Sequence, residues 1–258
     1  MKYYPRISDE LNRYSITKLL DNELDVIHIE GFYPHELSKK FAEKITTHAK
    51  LEAYQIQNTV SRLGMGYIDV GKDPKLAKQY HDEAVDSIWL IRNLIYPYLS
   101  PLDHMRLLLQ EIWPAGANIE HINNKKCFVG TCRFFKPNVK LKPHNDRFAR
   151  LLFDGDTINI KGQLAVNIYL DMLEEGGDLE LWLTEPSKEQ DKIIGIMDGV
   201  DREGLPPPKL LIKPSIGDLV IFNSELLHNV TPGTGHNRVS ISSFIGYRGQ
   251  HKPLTYWS

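Results

Sequence analysis

The feature that most constrains the fold is a change of periodicity near Ala117. From there on the chain is cut into short runs rich in β-branched and aromatic residues, at 117–122, 126–135, 163–171, 178–183, 209–213, 218–222 and 237–246. Turn signals such as Gly176-Gly177 and Gly217-Asp218 punctuate them. Many short strands so spaced predict a sandwich or barrel, here of jelly-roll type. Ahead of Ala117 the apolar residues recur at helical spacing. Pro34 opens a helix through Lys50 carrying Leu37, Phe41 and Ile45, and a longer pattern runs from Pro74 to Leu99 with Tyr80, Ala84, Ile88 and Ile91 on one stripe. A further helix is expected over Leu102 to Trp113, and a short strand over Asp25 to Ile29. The class is therefore α+β, read as a single domain over 1–258. Within it, 1–116 is mainly helical support and 117–250 is the jelly-roll core. The charged 184–208 segment, with Pro206-Pro207-Pro208, reads as an insertion between strands, a lid or an inert surface loop.

At 258 residues the chain is long enough to bury a full core. A formal net charge of -2 supplies no global field for nucleic acid or anionic membrane. No apolar run nears the roughly 20 residues needed to cross a bilayer, and MKYYPRISDELNRY lacks the apolar stretch of a secretory signal. The expected partner is a small molecule, with neither nucleic acid nor membrane involved. Cys127 and Cys132 have no further cysteines to complete a metal site, so they are expected as buried free thiols in a reducing cytoplasm. Asn229-Val230-Thr231 is then a chance glycosylation match.

The first chemical signal is Pro143-His144-Asn145-Asp146. Residues two apart on an extended chain point to one side, so His144 and Asp146 can converge on one point. His228 follows near the end of another strand pattern. Two imidazoles and a carboxylate on one face make the facial triad of non-haem Fe(II) oxygenases. An H-x-D motif alone arises often by chance; the context downstream adds weight. In Arg238-Val239-Ser240-Ile241-Ser242, alternation sets Arg238, Ser240 and Ser242 on one face and Val239 and Ile241 on the other. A guanidinium on an inner barrel face needs a resident anion, and a carboxylate suits its planar fork, with Ser240 as an added donor. In 163–171 the apolar Leu164, Val166, Ile168 and Leu170 alternate with Gln163, Asn167 and Tyr169. One face is expected on helices, the other in the cavity. Thr131 and Arg133 share a face of the strand before His144. Asn167, Tyr169 and Arg133 are therefore candidates to contact cosubstrate or substrate.

His144, Asp146, His228, Arg238 and Ser240, in this order, resemble the double-stranded β-helix superfamily of Fe(II)/2-oxoglutarate oxygenases, with its HxD…H and RxS elements. Within it, Gly177-Asp178-Leu179-Glu180-Leu181-Trp182, Gly217 to Asn223 and Arg238-Val239-Ser240 resemble small enzymes of free amino acids, the standalone radical halogenases and their hydroxylase relatives. The resemblance implies a double-stranded β-helix (cupin-like) core, Fe(II) held by His144, Asp146 and His228, 2-oxoglutarate held by Arg238 and Ser240, and dioxygen as second cosubstrate. Such halogenases carry a small residue where this chain has Asp146, so hydroxylation of an unactivated C–H bond is the implied reaction. Family analogy suggests a basic amino acid such as lysine as substrate. An N-substituted amino acid or another small metabolite is the alternative, and a non-catalytic cupin-like metal sensor is the rival of another class. A free amino acid needs a carboxylate partner, for which Arg62, Arg106 and Arg147 are candidates, and an amine partner, for which Glu120 and Asp171 are. Trp182 and Trp257 are candidate pocket walls.

Overall fold

The computed structural model describes residues 5–48, 50–53, 60–156, 158–197 and 199–258. Local chemistry sets the helices. In α1 (Arg13–Leu20), Asn12 caps the amides of Tyr14 and Ser15, while the Ser15 hydroxyl accepts the Asn12 amide in return. Helix α2 (His35–Thr46) starts after Pro34 and buries Phe41, Ala42 and Ile45. The run expected as one helix from Pro74 to Leu99 is two, α3 (Pro74–Asp82), capped by Asp73, and α4 (Ala84–Ile95), meeting at Glu83. The second ends at extended Tyr96, because a residue before proline is disfavoured in the helical region. Ser100 and Pro101 open α5 (Pro101–Ile112), the hydroxyl of Ser100 accepting the Asp103 amide.

The central sheet runs, strand by strand, Val26–Ile29, Leu219–Asn223, Gly162–Asp171, Arg238–Tyr247, Thr131–Phe135 and Val60–Leu63, each antiparallel to its neighbours. Leu254–Trp257 pairs with the far end of Arg238–Tyr247. A smaller antiparallel sheet, Leu210–Ile212, Leu179–Leu181 and His228–Val230, faces it. This is the jelly-roll core of an α+β chain. The helical front does more than support it, since it supplies the strands Val26–Ile29 and Val60–Leu63.

Alternation decides which face is which. Leu164, Val166, Ile168 and Leu170 join Phe41, Ile45, Ile88, Ile91 and the inward faces of Val239 and Ile241 in the main apolar cluster, between sheet and helices. Ala165 and Tyr169, on the opposite face, pack with Leu179, Leu181, Leu210 and Phe222 between the two sheets. At about 25 cal/mol per Å² of apolar surface, each such buried aliphatic side chain contributes roughly 1.5–3 kcal/mol. The polar residues on the inner face are thus held on a rigid wall. Cys127 and Cys132 are buried and free. The 184–208 segment is not a plain loop: it contains α6 (Lys188–Met197), and Ile194 packs with Trp182, Val200 and Leu227. Among the described residues no helix is long and apolar enough to cross a membrane.

Candidate active site

His144 and the strand residue His228 face each other in an isolated antiparallel bridge, each amide donating to the other's carbonyl at 2.9 and 2.8 Å. That pairing places the two rings 4.5 Å apart. Asp146, two residues on, falls on the same side, its Oδ2 3.5 Å from His228 Nε2. One ligand atom from each of the three lies within 4.8 Å of the others. The backbone around Asp146 is fixed from two directions. Its amide donates to Ser224 O at 2.8 Å, and its carbonyl accepts from Gln163 Nε2 at 3.2 Å. Gln163 Oε1 also accepts the Phe148 amide at 2.9 Å, so one buried side chain brackets the segment after His144.

The protonation pattern is that of a metal site. His144 Nδ1 meets Lys142 O at 2.7 Å and His228 Nδ1 meets Leu226 O at 2.9 Å. A carbonyl only accepts, so each Nδ1 carries a proton and each Nε2 is left facing the cluster. Burial, reinforced by the neighbouring His228, lowers His144 to a pKa of about 4, so its ring is neutral near pH 7. Burial alone would raise the Asp146 carboxyl. The neighbouring His228, His144 and Arg133 outweigh it and lower the group below the usual carboxylate range. Two imidazoles and one carboxylate on one side, with the other side open to a cavity, fit a divalent iron.

Beside the triad lies an inner recess of about 70 Å³ whose lining includes Asn167, Arg238, Ser240 and Ser242. Arg238 is 3% exposed, and its Nε has no hydrogen-bond partner. Its guanidinium lies over Phe135 and Tyr169, at 5.0 and 5.1 Å. Cation–π contacts of roughly 0.5–2 kcal/mol each fall short of the several kcal/mol that an unpaired buried charge costs. No described carboxylate forms an ion pair with it, so the recess offers an anion an unpaired buried cation. Tyr169 is not in the lining; it is buried against Arg238, and burial raises its phenol pKa.

An outer cavity of about 440 Å³ opens from the same triad. Its walls include Tyr67, Phe148, Trp257, Arg133, Arg147 and Arg150. Trp257, an expected wall, stacks on Phe148 at 4.4 Å. Arg147 reaches the cavity while bonded to Glu185 at 3.0 Å. Arg133 borders both cavities. The remaining substrate candidates lie elsewhere. Glu120 is held by Arg248 and Thr255, each at 2.6 Å, because its strand edge abuts the chain's last strand. Arg62 sits opposite Arg133 on the neighbouring strand, with Nε 2.8 Å from Asp69. Trp182 is buried under the 184–208 segment, its indole N–H donating to Pro206 O at 2.7 Å. Arg106 pairs with Asp103 at 2.8 Å and Asp171 with Lys39 at 3.2 Å. Periodicity did not mark Tyr67, Phe148 or Arg150, since all three lie in or beside short 3-10 turns.

Over residues 6–258 the chain matches the family described as the carrier-protein-independent halogenase WelO5. It is 32% identical over 149 residues to the L-isoleucine 3(1)-dioxygenase of Pantoea ananatis (strain AJ13355), covering 53% of this chain and 48% of that protein. It is 27% identical over 164 residues to the L-gamma-glutamyl-L-propargylglycine hydroxylase of Streptantibioticus cattleyicolor, covering 61% and 59%. The match thus spans about half to three-fifths of the length of these curated relatives. In fold it resembles an N-substituted L-amino acid dioxygenase from Burkholderia ambifaria AMMD, with a TM-score of 0.62 at 15% identity over 95% of this chain and 91% of the other. The same enzyme in complex with alpha-KG gives 0.60 at 14% identity, over 95% and 90%. At such identities the likeness is one of fold. The family match is broader, for it takes in helices, both sheets and all three candidate ligands, and by it the chain belongs to the family of the carrier-protein-independent halogenase WelO5.

Proposed function

We propose that the protein is an Fe(II)- and 2-oxoglutarate-dependent oxygenase that hydroxylates an unactivated C–H bond of a small amino-acid substrate. The observation that carries this is the buried Arg238, without a described acid partner, in the same recess as the His144–Asp146–His228 cluster. A metal sensor accounts for the cluster but gives Arg238 no anion. Nε2 of His144, Nε2 of His228 and the Asp146 carboxylate would hold the iron; Arg238 and Ser240 would hold the distal carboxylate of 2-oxoglutarate. Iron so bound supplies the oxidising power to insert one dioxygen atom into a C–H bond, with 2-oxoglutarate leaving as succinate and carbon dioxide.

The chain's own residues do the rest. The Lys142 and Leu226 carbonyls fix the imidazole tautomers, Gln163 and Ser224 orient the Asp146 segment, and Tyr169 and Phe135 flank the guanidinium. The family's name denotes halogenases, but Asp146 places a carboxylate in the ligand position that halogenation requires open, which supports hydroxylation. The curated relatives, a dioxygenase of isoleucine and a hydroxylase of a γ-glutamyl amino acid, support the amino-acid class. The basic substrate expected by analogy, lysine, has no such support. Buried free Cys127 and Cys132 favour a reducing, cytoplasmic setting. The α6 segment, whose Ile194 and Gly195 border the outer cavity, is proposed as its cover. The test is succinate release with product mass spectrometry across free and N-acylated amino acids. A product heavier by one oxygen, with matching succinate, supports the reading, and no substrate-stimulated succinate from iron-loaded protein contradicts it.

A further inference from the structure

The outer cavity carries information on substrate charge that neither the motif nor the relatives supply. Its described lining holds five basic residues, Lys72, Arg133, Lys142, Arg147 and Arg150, and a single acid, Asp146. Asp146 belongs to the metal cluster, which leaves no other side-chain carboxylate among the described lining residues to receive an ammonium. A substrate ammonium moved from water into this space loses hydration and meets like charge. A carboxylate meets the opposite.

Two of the cations are poised for it. Arg147 bonds Glu185 at 3.0 Å and lies 3.7 Å from Asp191; Arg150 bonds Asp191 at 2.6 Å. Both acids come from the segment over the cavity, Asp191 from α6 itself. The Nε atoms of Arg147 and Arg150 are buried without hydrogen-bond partners. Tyr67, Phe148 and Trp257 add aromatic rings to the same lining.

On the oxygenase reading above, we propose that the outer cavity selects a net-anionic amino-acid derivative and excludes cationic ones. Its carboxylate is received by Arg147 and Arg150 in exchange for bonds to Glu185 and Asp191, and its apolar part lies on Tyr67, Phe148 and Trp257. An acylated amine or a second carboxylate gives the same charge, and the test separates them. Zn(II)-loaded protein saturated with 2-oxoglutarate is titrated calorimetrically with N-acetyl-L-leucine, L-glutamate, L-leucine and L-lysine. At least one of the first two binds about 10-fold or more tightly than L-leucine and L-lysine. N-acetyl-L-leucine in the lead marks the acylated amine, and L-glutamate the second carboxylate. The double variant Arg147→Gln/Arg150→Gln loses the preference while 2-oxoglutarate affinity stays unchanged, and Arg147→Lys retains part of it. Equal binding of anions and cations, a preference for L-lysine, or an unaltered preference in the double variant overturns the proposal. If 2-oxoglutarate itself fails to bind the metal-loaded protein, the oxygenase reading falls and this one with it.

Discussion

At the scale of single residues, the site separates a charge that must find a partner from ligands that already have theirs. Arg238 is buried, stacked between Phe135 and Tyr169, and lacks an ion pair among the described residues. Arg238→Ala therefore removes an unpaired buried cation from the free protein and a charge-assisted pair from the complex. Thermal stability should be unchanged or slightly raised, while the 2-oxoglutarate requirement rises about 30-fold or more, as loss of 2–5 kcal/mol implies. Titration of succinate formation against 2-oxoglutarate checks it; an unchanged requirement places the cosubstrate elsewhere. Asp146→Gly removes a ligand and should abolish most hydroxylation while leaving the far-ultraviolet circular dichroism intact; full activity in that variant removes Asp146 from the ligand set. These residues were legible in the sequence because their signal is chemical and local: two positions two apart on an extended segment, and a cation on the polar face of an otherwise apolar strand. Glu120, Arg62 and Trp182 were candidates by residue type alone. Type does not reveal that Arg248, Asp69 and Pro206 already occupy them.

At the scale of elements, the turn before Leu219–Asn223 holds the sheet to the helical front. Gly217 has φ +93°, and a Cβ there would sit 2.2 Å from the Tyr33 carbonyl oxygen, which a fixed backbone cannot yield. Gly217→Ala should lose about 2 kcal/mol or more of stability in denaturant unfolding, combining left-handed strain with that clash. A loss below 0.5 kcal/mol would mean the turn rearranges freely. Next to it, Asp218 accepts from Gly31 N, Ser215 N and His28 Nε2 at 2.8–2.9 Å. Burial alone would raise its pKa, but these hydrogen bonds outweigh burial and depress it. A depressed carboxylate stabilises the fold above its unfolded pKa, near 4, and that contribution fades as pH falls through the folded value. Asp218→Asn should therefore cost about 1–3 kcal/mol at pH 7, with the gap to the parent narrowing in acid. A gap that widens in acid contradicts the assignment. Periodicity read the strands well, since one buried face per strand writes itself as alternation. It missed Val60–Leu63, whose pattern is short and interrupted by Arg62, and α6, whose polar composition hides a single anchoring face around Ile194.

At the scale of the whole molecule, the jelly roll sets a small recess holding Arg238 and a larger cavity with basic residues in its lining against one cluster of candidate ligands. Their contact is a product of the fold, since residues from 133 to 258 border both. No window of sequence shows that, which is why the candidate metal ligands could be named in advance and the substrate could not. Metal bound to the native state alone stabilises it by mass action, about 2.7 kcal/mol at 100 times its dissociation constant. Iron or zinc should thus raise the melting temperature of metal-free protein, and a chelator should reverse the gain. The most direct test of the central claim is an anaerobic titration of the protein with Fe(II) and 2-oxoglutarate, followed by visible absorption. A weak charge-transfer band should appear with one iron and one 2-oxoglutarate per chain, and should need a much higher 2-oxoglutarate concentration in Arg238→Ala. Absence of any band from folded protein shown to hold iron would contradict it.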